Sequence, residues 1–312
     1  MDLGEALDDH DIPWTIALSR RHLTAMDAAS ATRVARIGAR NAGSARRTFR
    51  SGADFLQTLT VPVLLLVVWE LCGQAGLLPA GILPWPSLAA KGWYVWAFGE
   101  PGMGLNPYMG TWFSNVYYSA VRVFQGYALA ICLAVPIGTL IGWSPLFARF
   151  VDPTLQGLRP VPITAWLPFS IALFGIKDMG AISLIALGAF YPIVVNSAQG
   201  ARDVSKNLVR AALMLGATRM QLFLRIVLPS ALPSIFTGLR LGIGVAWTAV
   251  IIAEMVAVKS GLGYVLWDAY YVGRMDIVIA DMVSIGLLGF LSDRVVVFVE
   301  SWLLAWKRHQ RA

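Results

Sequence analysis

Long apolar runs alternate with short polar stretches along most of this chain, and each run approaches the roughly 20 residues that a membrane helix needs. Six such runs predict about six transmembrane helices. They lie near 55–73 ("FLQTLTVPVLLLVVWELCG"), 116–142 (ending "YALAICLAVPIGTLIGW"), 155–176 ("LRPVPITAWLPFSIALFGI" with its lead-in), 180–200, 232–257 and 277–304. The third is interrupted by prolines, which spans tolerate when neighbouring helices satisfy the freed backbone groups. Ahead of the runs stands a polar, Ala/Arg-rich leader, "ATRVARIGARNAGSARRTFR" at its end. No apolar core follows Met1, so the leader is not a secretory signal. An amphipathic helix on the cytoplasmic face and a disordered segment both fit it. The chain therefore divides into a leader, 1–52, and an all-α integral membrane domain, 53–308.

Composition agrees. Of 312 residues 57% are hydrophobic and 14% charged, against about a quarter charged in soluble domains. The net charge of +7 would suggest nucleic acid in a soluble protein. Here the basic residues collect in alternate connections, as cytoplasmic loops require, and no nucleic-acid partner is expected. Arg46, Arg47 and Arg50 precede the first run, Arg149 follows the second, and Arg202, Lys206, Arg210, Arg219 and Arg225 fill 201–230. Lys307, Arg308 and Arg311 close the chain. The other connections hold only Lys91, Lys177, Lys259 and Arg274. Both termini are then expected in the cytoplasm. Trp85, Trp93, Trp96 and Trp112, in and beside the long outer loop 74–113, are expected to be interfacial anchors. Cys72 and Cys132 lie in apolar runs and read as small hydrophobes. His10, His22 and His309 all fall outside the runs, so no metal site is expected.

The polar loop between the fourth and fifth runs is unusually well punctuated. "DVSKNLVRAALMLG" (203–216) predicts a short helix, with Asp203 or Ser205 at its start and Gly216 as a left-handed stop. Thr218 and Gln221 form a T-x-x-Q capping box for a second helix. Along that helix Met220, Phe223, Leu224 and Val227 recur at helical spacing, and Pro229 marks the return to the membrane. A solvated loop would explain the arginines. It would not explain two capped helices with an apolar stripe, which calls for a partner.

The spacing A-A-x3-G-x9-I-x-L-P, met by Ala211, Ala212, Gly216, Ile226, Leu228 and Pro229, resembles the "EAA" loop of ABC-importer permeases. Arg210 stands where that loop has Glu, similar to the taurine and nitrate branch. "LRPVPITAWLPFSIALFGI", "TGLRLGIGVAWTAVIIAEMVAVKSGLGYVLWDA" (237–269) and "LLGFLSDR" (287–294) also look like the nitrate/sulfonate/taurine/bicarbonate group. The likeness covers roughly 55–308. It implies the type I ABC-importer permease fold, a homodimer of permease subunits in the bacterial inner membrane, and cytoplasmic ATPase subunits docked on the loop. Arg210, Ala211, Ala212, Gly216, Ala217, Ile226, Leu228 and Pro229 would form that docking element. A periplasmic binding protein would deliver a small anion. The chain has no G-x-x-x-x-G-K-[ST] phosphate loop. No cofactor of its own and no catalytic residue is expected; ATP and Mg would be bound by the partner ATPase. Another small solute as cargo, or a secondary transporter, are the alternatives, although the latter leaves the loop without a purpose. A membrane enzyme lacks a nucleophile–base set.

Ionisable residues inside spans are costly and mark candidate function. Arg122, Glu254 and the nearby Gly261 and Gly263 are the candidate pathway or gate. Arg122 could present a positive field to an anion, snorkel to the interface, or pair with Glu254. Glu254 favours an ion pair or a gate hinge with the two glycines. Arg240 is expected to snorkel, and Asp293–Arg294 to pair. Asp281 has no partner legible in the sequence. Gly238, Gly242 and Gly244 suggest close helix contact or room for a pore at a dimer axis, and Asn196 and Ser197 a cap ending the fourth span or a lining of the pathway.

Overall fold

The computed structural model describes residues 52–79, 81–99 and 107–304; the leader lies outside them. The described elements are helices joined by short turns. The chain divides into two units, Met1–Val67 and Val68–Ala312. α1 (Gly52–Gln74) begins in the first unit, where its apolar side chains Val61, Val63, Leu64, Leu65, Leu66 and Val67 are exposed, as lipid-facing residues should be.

The second unit is built on three long helices. These are α3 (Trp112–Trp143), α6 (Asp178–Arg202) and α9 (Leu228–Ala257). α6 lies between α3 and α9 and packs along both. Small residues allow the close approach. A Cβ on Gly138 would lie 2.5 Å from the Val194 carbonyl oxygen, and one on Gly142 would collide with the Ala198 carbonyl. Across the other interface Gly238 faces the Pro192 carbonyl and Gly242 faces Ile193. Gly244 meets nothing, so two of the three glycines read as packing residues are so used. Because the obstacles at Gly142 are two backbone atoms and the Ala201 Cβ, none of which can turn aside, Gly142→Leu must separate α3 from α6. Overpacking of this kind costs about 1–3 kcal/mol or more. We expect that variant to lose most of its monodisperse peak on size-exclusion in mild detergent, with a lowered Tm.

Among the described residues four helices are long and apolar enough to cross a membrane: Trp112–Trp143, Asp178–Arg202, the continuous run Arg219–Ala257 and Met275–Leu303. The expected third span is not one helix. α4 (Pro145–Leu158) starts ten residues early, and a 3-10 turn (Ile163–Trp166) with α5 (Leu167–Phe174) follows at 96° to it. Pro160 and Pro162 remove two backbone donors that a continuing helix would need, and Pro162 is itself extended at ψ 145°, which is why the helix breaks there. Counted as one broken span it makes five; the expected first span appears among the described residues as the shorter apolar segment Leu59–Gln74. Asn196 and Ser197 do not end α6. Asn196 bonds back to the Pro192 carbonyl at 2.7 Å, satisfying a group in mid-helix, and the helix runs on to Arg202.

At the end of the helices away from the 203–229 loop, α2 (Pro86–Phe98) packs against α11 (Met275–Leu303). Its start is held by Glu70, whose carboxylate accepts from Ser87 N at 2.9 Å and Ser87 Oγ at 2.7 Å. Trp96 is no interfacial anchor. It is fully buried, and its indole donates to Thr111 Oγ1 at 3.2 Å; Trp112 donates to Ser284 Oγ at 3.0 Å. The Tyr108 hydroxyl donates to Asp268 at 2.6 Å, and burial together with that bond holds the phenol well above its usual pKa. These contacts tie the described parts of the 74–113 connection and the start of α3 to the segments 262–271 and 275–303.

Candidate functional site

The loop after α6 folds as a small rigid unit. α7 (Lys206–Met214) ends at Gly216, whose φ of +80° only glycine adopts without strain. Gly216 N donates to Leu213 O at 3.0 Å and Ala217 N to Ala212 O at 3.1 Å. This pair of bonds is a Schellman stop. Two residues later the capping box closes: Gln221 N donates to Thr218 Oγ1 at 3.3 Å and Thr218 N to Gln221 Oε1 at 2.9 Å. α8 (Arg219–Leu222) passes through a π turn, Phe223–Val227, directly into α9. Pro229 supplies no N–H for the Arg225 carbonyl and its ring crowds that group, so the wider turn absorbs the mismatch. Pro229 thus does not separate loop from span. The second loop helix and the fifth span are one continuous rod.

The small and apolar residues divide cleanly. Ala212, Leu222 and Val227 are buried with Ala201, Ala231 and Ile235, tying the loop to the ends of α6 and α9. Arg210, Ala211 and Gly216 are exposed, and Ala217, Ile226, Leu228 and Pro229 are half-buried. Of the expected stripe, Met220 and Leu224 face outward while Phe223 and Val227 face the core. Met214 and Leu215, 87% and 89% exposed, are the residues that periodicity missed. Their signal is position: two large apolar residues directly before a left-handed glycine cannot fold back onto their own helix. Ser205 occupies the N-cap position without a side-chain bond, and Asp203 belongs to the end of α6.

A second constellation lies at the other end of α3 and α9. Arg122, 4% exposed, donates from Nη1 to Glu254 Oε1 at 2.7 Å and to the Ser260 carbonyl at 2.8 Å. Its Nη2 reaches Ser260 Oγ at 2.7 Å, and its Nε reaches Asp178 Oδ1 at 2.8 Å. Glu254, fully buried, also accepts from Ser119 Oγ at 2.8 Å and from Gly263 N at 2.9 Å. Gly261, φ +105°, leaves room for this carboxylate; a side chain there would land on it. Gly263 abuts the Ile251 carbonyl, 2.6 Å from where a Cβ would sit. Gly261 N donates to Asn115 Oδ1 at 2.9 Å, and Leu262 N to Ser119 Oγ at 2.8 Å. The four residues singled out by sequence therefore meet, and Arg122 pairs with Glu254 rather than snorkelling. Asn115, Ser119, Asp178 and Ser260 were not singled out. Asn115, Ser119 and Arg122 fall at i, i+4 and i+7 on α3, a spacing that places them on one face.

The cluster staples the 258–261 turn, which leads into α10 (Leu262–Tyr271), onto α3. Beside it opens a basin of about 670 Å³ rimmed by Tyr118, Arg122, Lys177, Asp178, Lys259 and Ser260. Other membrane charges pair elsewhere. Arg240, its side chain 44% exposed, bonds Asp293 at 3.0 Å, whereas Arg294 is 3.9 Å from the same acid. Asp281 is fully buried, and neither carboxylate oxygen has a hydrogen-bond partner among the described residues.

Comparison with known proteins decides what this arrangement belongs to. The family model described as "binding-protein-dependent transport system inner membrane component" matches residues 134–304, the stretch that holds the bent pair, the loop, α9 and α11. The chain belongs to that family. It is 33% identical to an aliphatic sulfonates transport permease of Bacillus subtilis, over 83% of this chain and 90% of the relative. It is 34% identical to the nitrate import permease NrtB of Synechocystis, over 76% of this chain and 85% of the relative. A chain of the methionine ABC transporter MetNI, solved in inward-facing conformations, aligns with TM-score 0.56 at 20% identity, covering 64% of this chain and 99% of the other. That likeness shows the type I permease fold. As a multi-pass inner-membrane permease, the chain works with a separate ATPase and a binding protein and is not itself an enzyme.

Proposed function

We propose that this permease carries a small anion of the sulfonate or nitrate type inward, as one half of a homodimeric pore, with both termini in the cytoplasm. The observation that carries the reading is the loop 203–229: a glycine-stopped, box-capped pair of helices whose exposed Met214, Leu215, Met220 and Leu224 offer an apolar surface to a cytoplasmic partner. Because α8 continues into α9, a displacement of the loop is delivered along the rod toward Glu254. In this reading the Arg122–Glu254 staple is the outer gate, and it opens when the rod moves. The anion class is supported by the two relatives' names and by the cationic rim of the outer basin. The exposed apolar faces of α4 and α11, including Phe150, Met282, Val283 and Leu287, support a second copy and lipid around the pore.

The test is uptake into proteoliposomes holding this subunit with its ATPase and binding protein, offering labelled nitrate against excess taurine, bicarbonate and an alkanesulfonate. We expect ATP-dependent uptake of one of these anions, blocked by one competitor. Uptake that ignores ATP would overturn the docking reading, and an ATP-dependent complex that takes none of the four would overturn the anion class.

A further inference from the structure

A pocket of about 180 Å³ lies at the loop end of α6, where α4 of the bent pair passes α3 and α6. The proposed outer gate is at the opposite end of these helices. Asp152 and Gln156 from α4 and Arg159 just past its end line it, with Tyr191, Gln199 and Arg202 from α6. Arg202 and Asp152 pair at 2.7 Å across the opening, so their charges cancel. Gln199 is turned to Asp203 at 2.8 Å. Arg159 forms no ion pair among the described residues, and it leaves the pocket one net positive charge. Pockets for drug-sized ligands run to about 300–1,000 Å³; this one holds a small ion and its waters. Its donors are a guanidinium fork, which matches planar oxygen pairs, an amide from Gln156 and the Tyr191 hydroxyl.

We propose that this pocket binds a small monovalent oxyanion from the loop side, with Arg159 as its principal contact. The site rests on the importer reading only for its orientation. It occupies the joint between the bent pair and the base of the docking loop, four residues before α7 begins. An occupant sharing Arg202 with Asp152 would act on that joint directly. A lipid phosphate offers the same chemistry, so the source must be tested separately.

The experiment uses the permease–ATPase complex in neutral phosphatidylcholine nanodiscs without the binding protein. Binding of ³⁵S-labelled ethanesulfonate is measured, with nitrate as competitor. We expect saturable binding displaced by nitrate, weakened at least tenfold in Arg159→Gln and unchanged in Arg149→Gln, which is exposed on α4 but away from the pocket. Equal binding by Arg159→Gln, or no saturable binding, would overturn the site. Loss of binding on adding phosphatidylglycerol would overturn the soluble anion in favour of a lipid headgroup. Uptake is followed in parallel with the binding protein restored: ATP-driven uptake beside a silent pocket leaves the importer standing and removes this site alone.

Discussion

Gly216→Pro is expected to reduce ATP-driven uptake to below a tenth of the wild-type rate while the permease still inserts and purifies. Gly216 sits at φ +80° with open space where a Cβ would go, so the effect is conformational and not a clash. Proline fixes φ near −65° and removes the N–H. The bond to Leu213 O is then impossible, and the bond from Ala217 N to Ala212 O loses its geometry. With the Schellman stop gone, Met214 and Leu215 point elsewhere and the capping box at Thr218 is displaced from α7. The buried core of the membrane domain is untouched. Gly216→Ala keeps the N–H and bears only the left-handed penalty, about 1–2 kcal/mol, so it should retain substantial uptake. The same order is expected when the ATPase is co-purified on the tagged permease: wild type, then alanine, with proline lowest. Normal uptake by the proline variant would remove the loop from the coupling mechanism.

Much of this loop was legible because its signals are local. A glycine stop and a T-x-x-Q box are each decided within four residues, and both form as the spacing predicts. The bent third span was not legible in the same way. The prolines at 160 and 162 announced a break, but the early start at Pro145 depends on Ser144 Oγ accepting from Phe147 N at 3.3 Å, and apolar counting does not see that. The membrane charges divide by the same rule. Arg122 and Glu254 are separated by 132 residues, so only the cost of a lone buried charge suggested that they meet. Asp178, Asn115 and Ser119 gave no such signal, being ordinary at helix ends. Trp96 was misplaced because an indole suits an interface and a core equally well. Only the packing of α2 on α11 distinguishes them.

Arg122→Met is expected to be the most destabilising single change in the chain. It leaves Glu254 fully buried with two remaining donors, Ser119 Oγ and Gly263 N, and no cation. Breaking one side of a buried pair costs about 3–5 kcal/mol, a large part of a domain's margin of 5–15 kcal/mol. Glu254→Met is expected to cost a similar amount, because Arg122 keeps only Asp178, which is 65% exposed, and the Ser260 contacts. Replacing both partners with methionine removes both uncompensated charges, and such replacements are often neutral or stabilising. Thermal unfolding in detergent should therefore show two low-melting single variants and a double variant that recovers most of the loss. Non-recovery would mean that Ser119, Asn115 and the glycine turn need the carboxylate itself. Uptake separates scaffold from gate. The double variant no longer ties Ser260 and Gly263 to α3 by charge, so the staple cannot close, and ATP-driven uptake should stay below a fifth of wild type despite the recovered Tm. A stable double variant with full uptake would make the cluster a strut that holds the 258–261 turn in place, with no part in opening it.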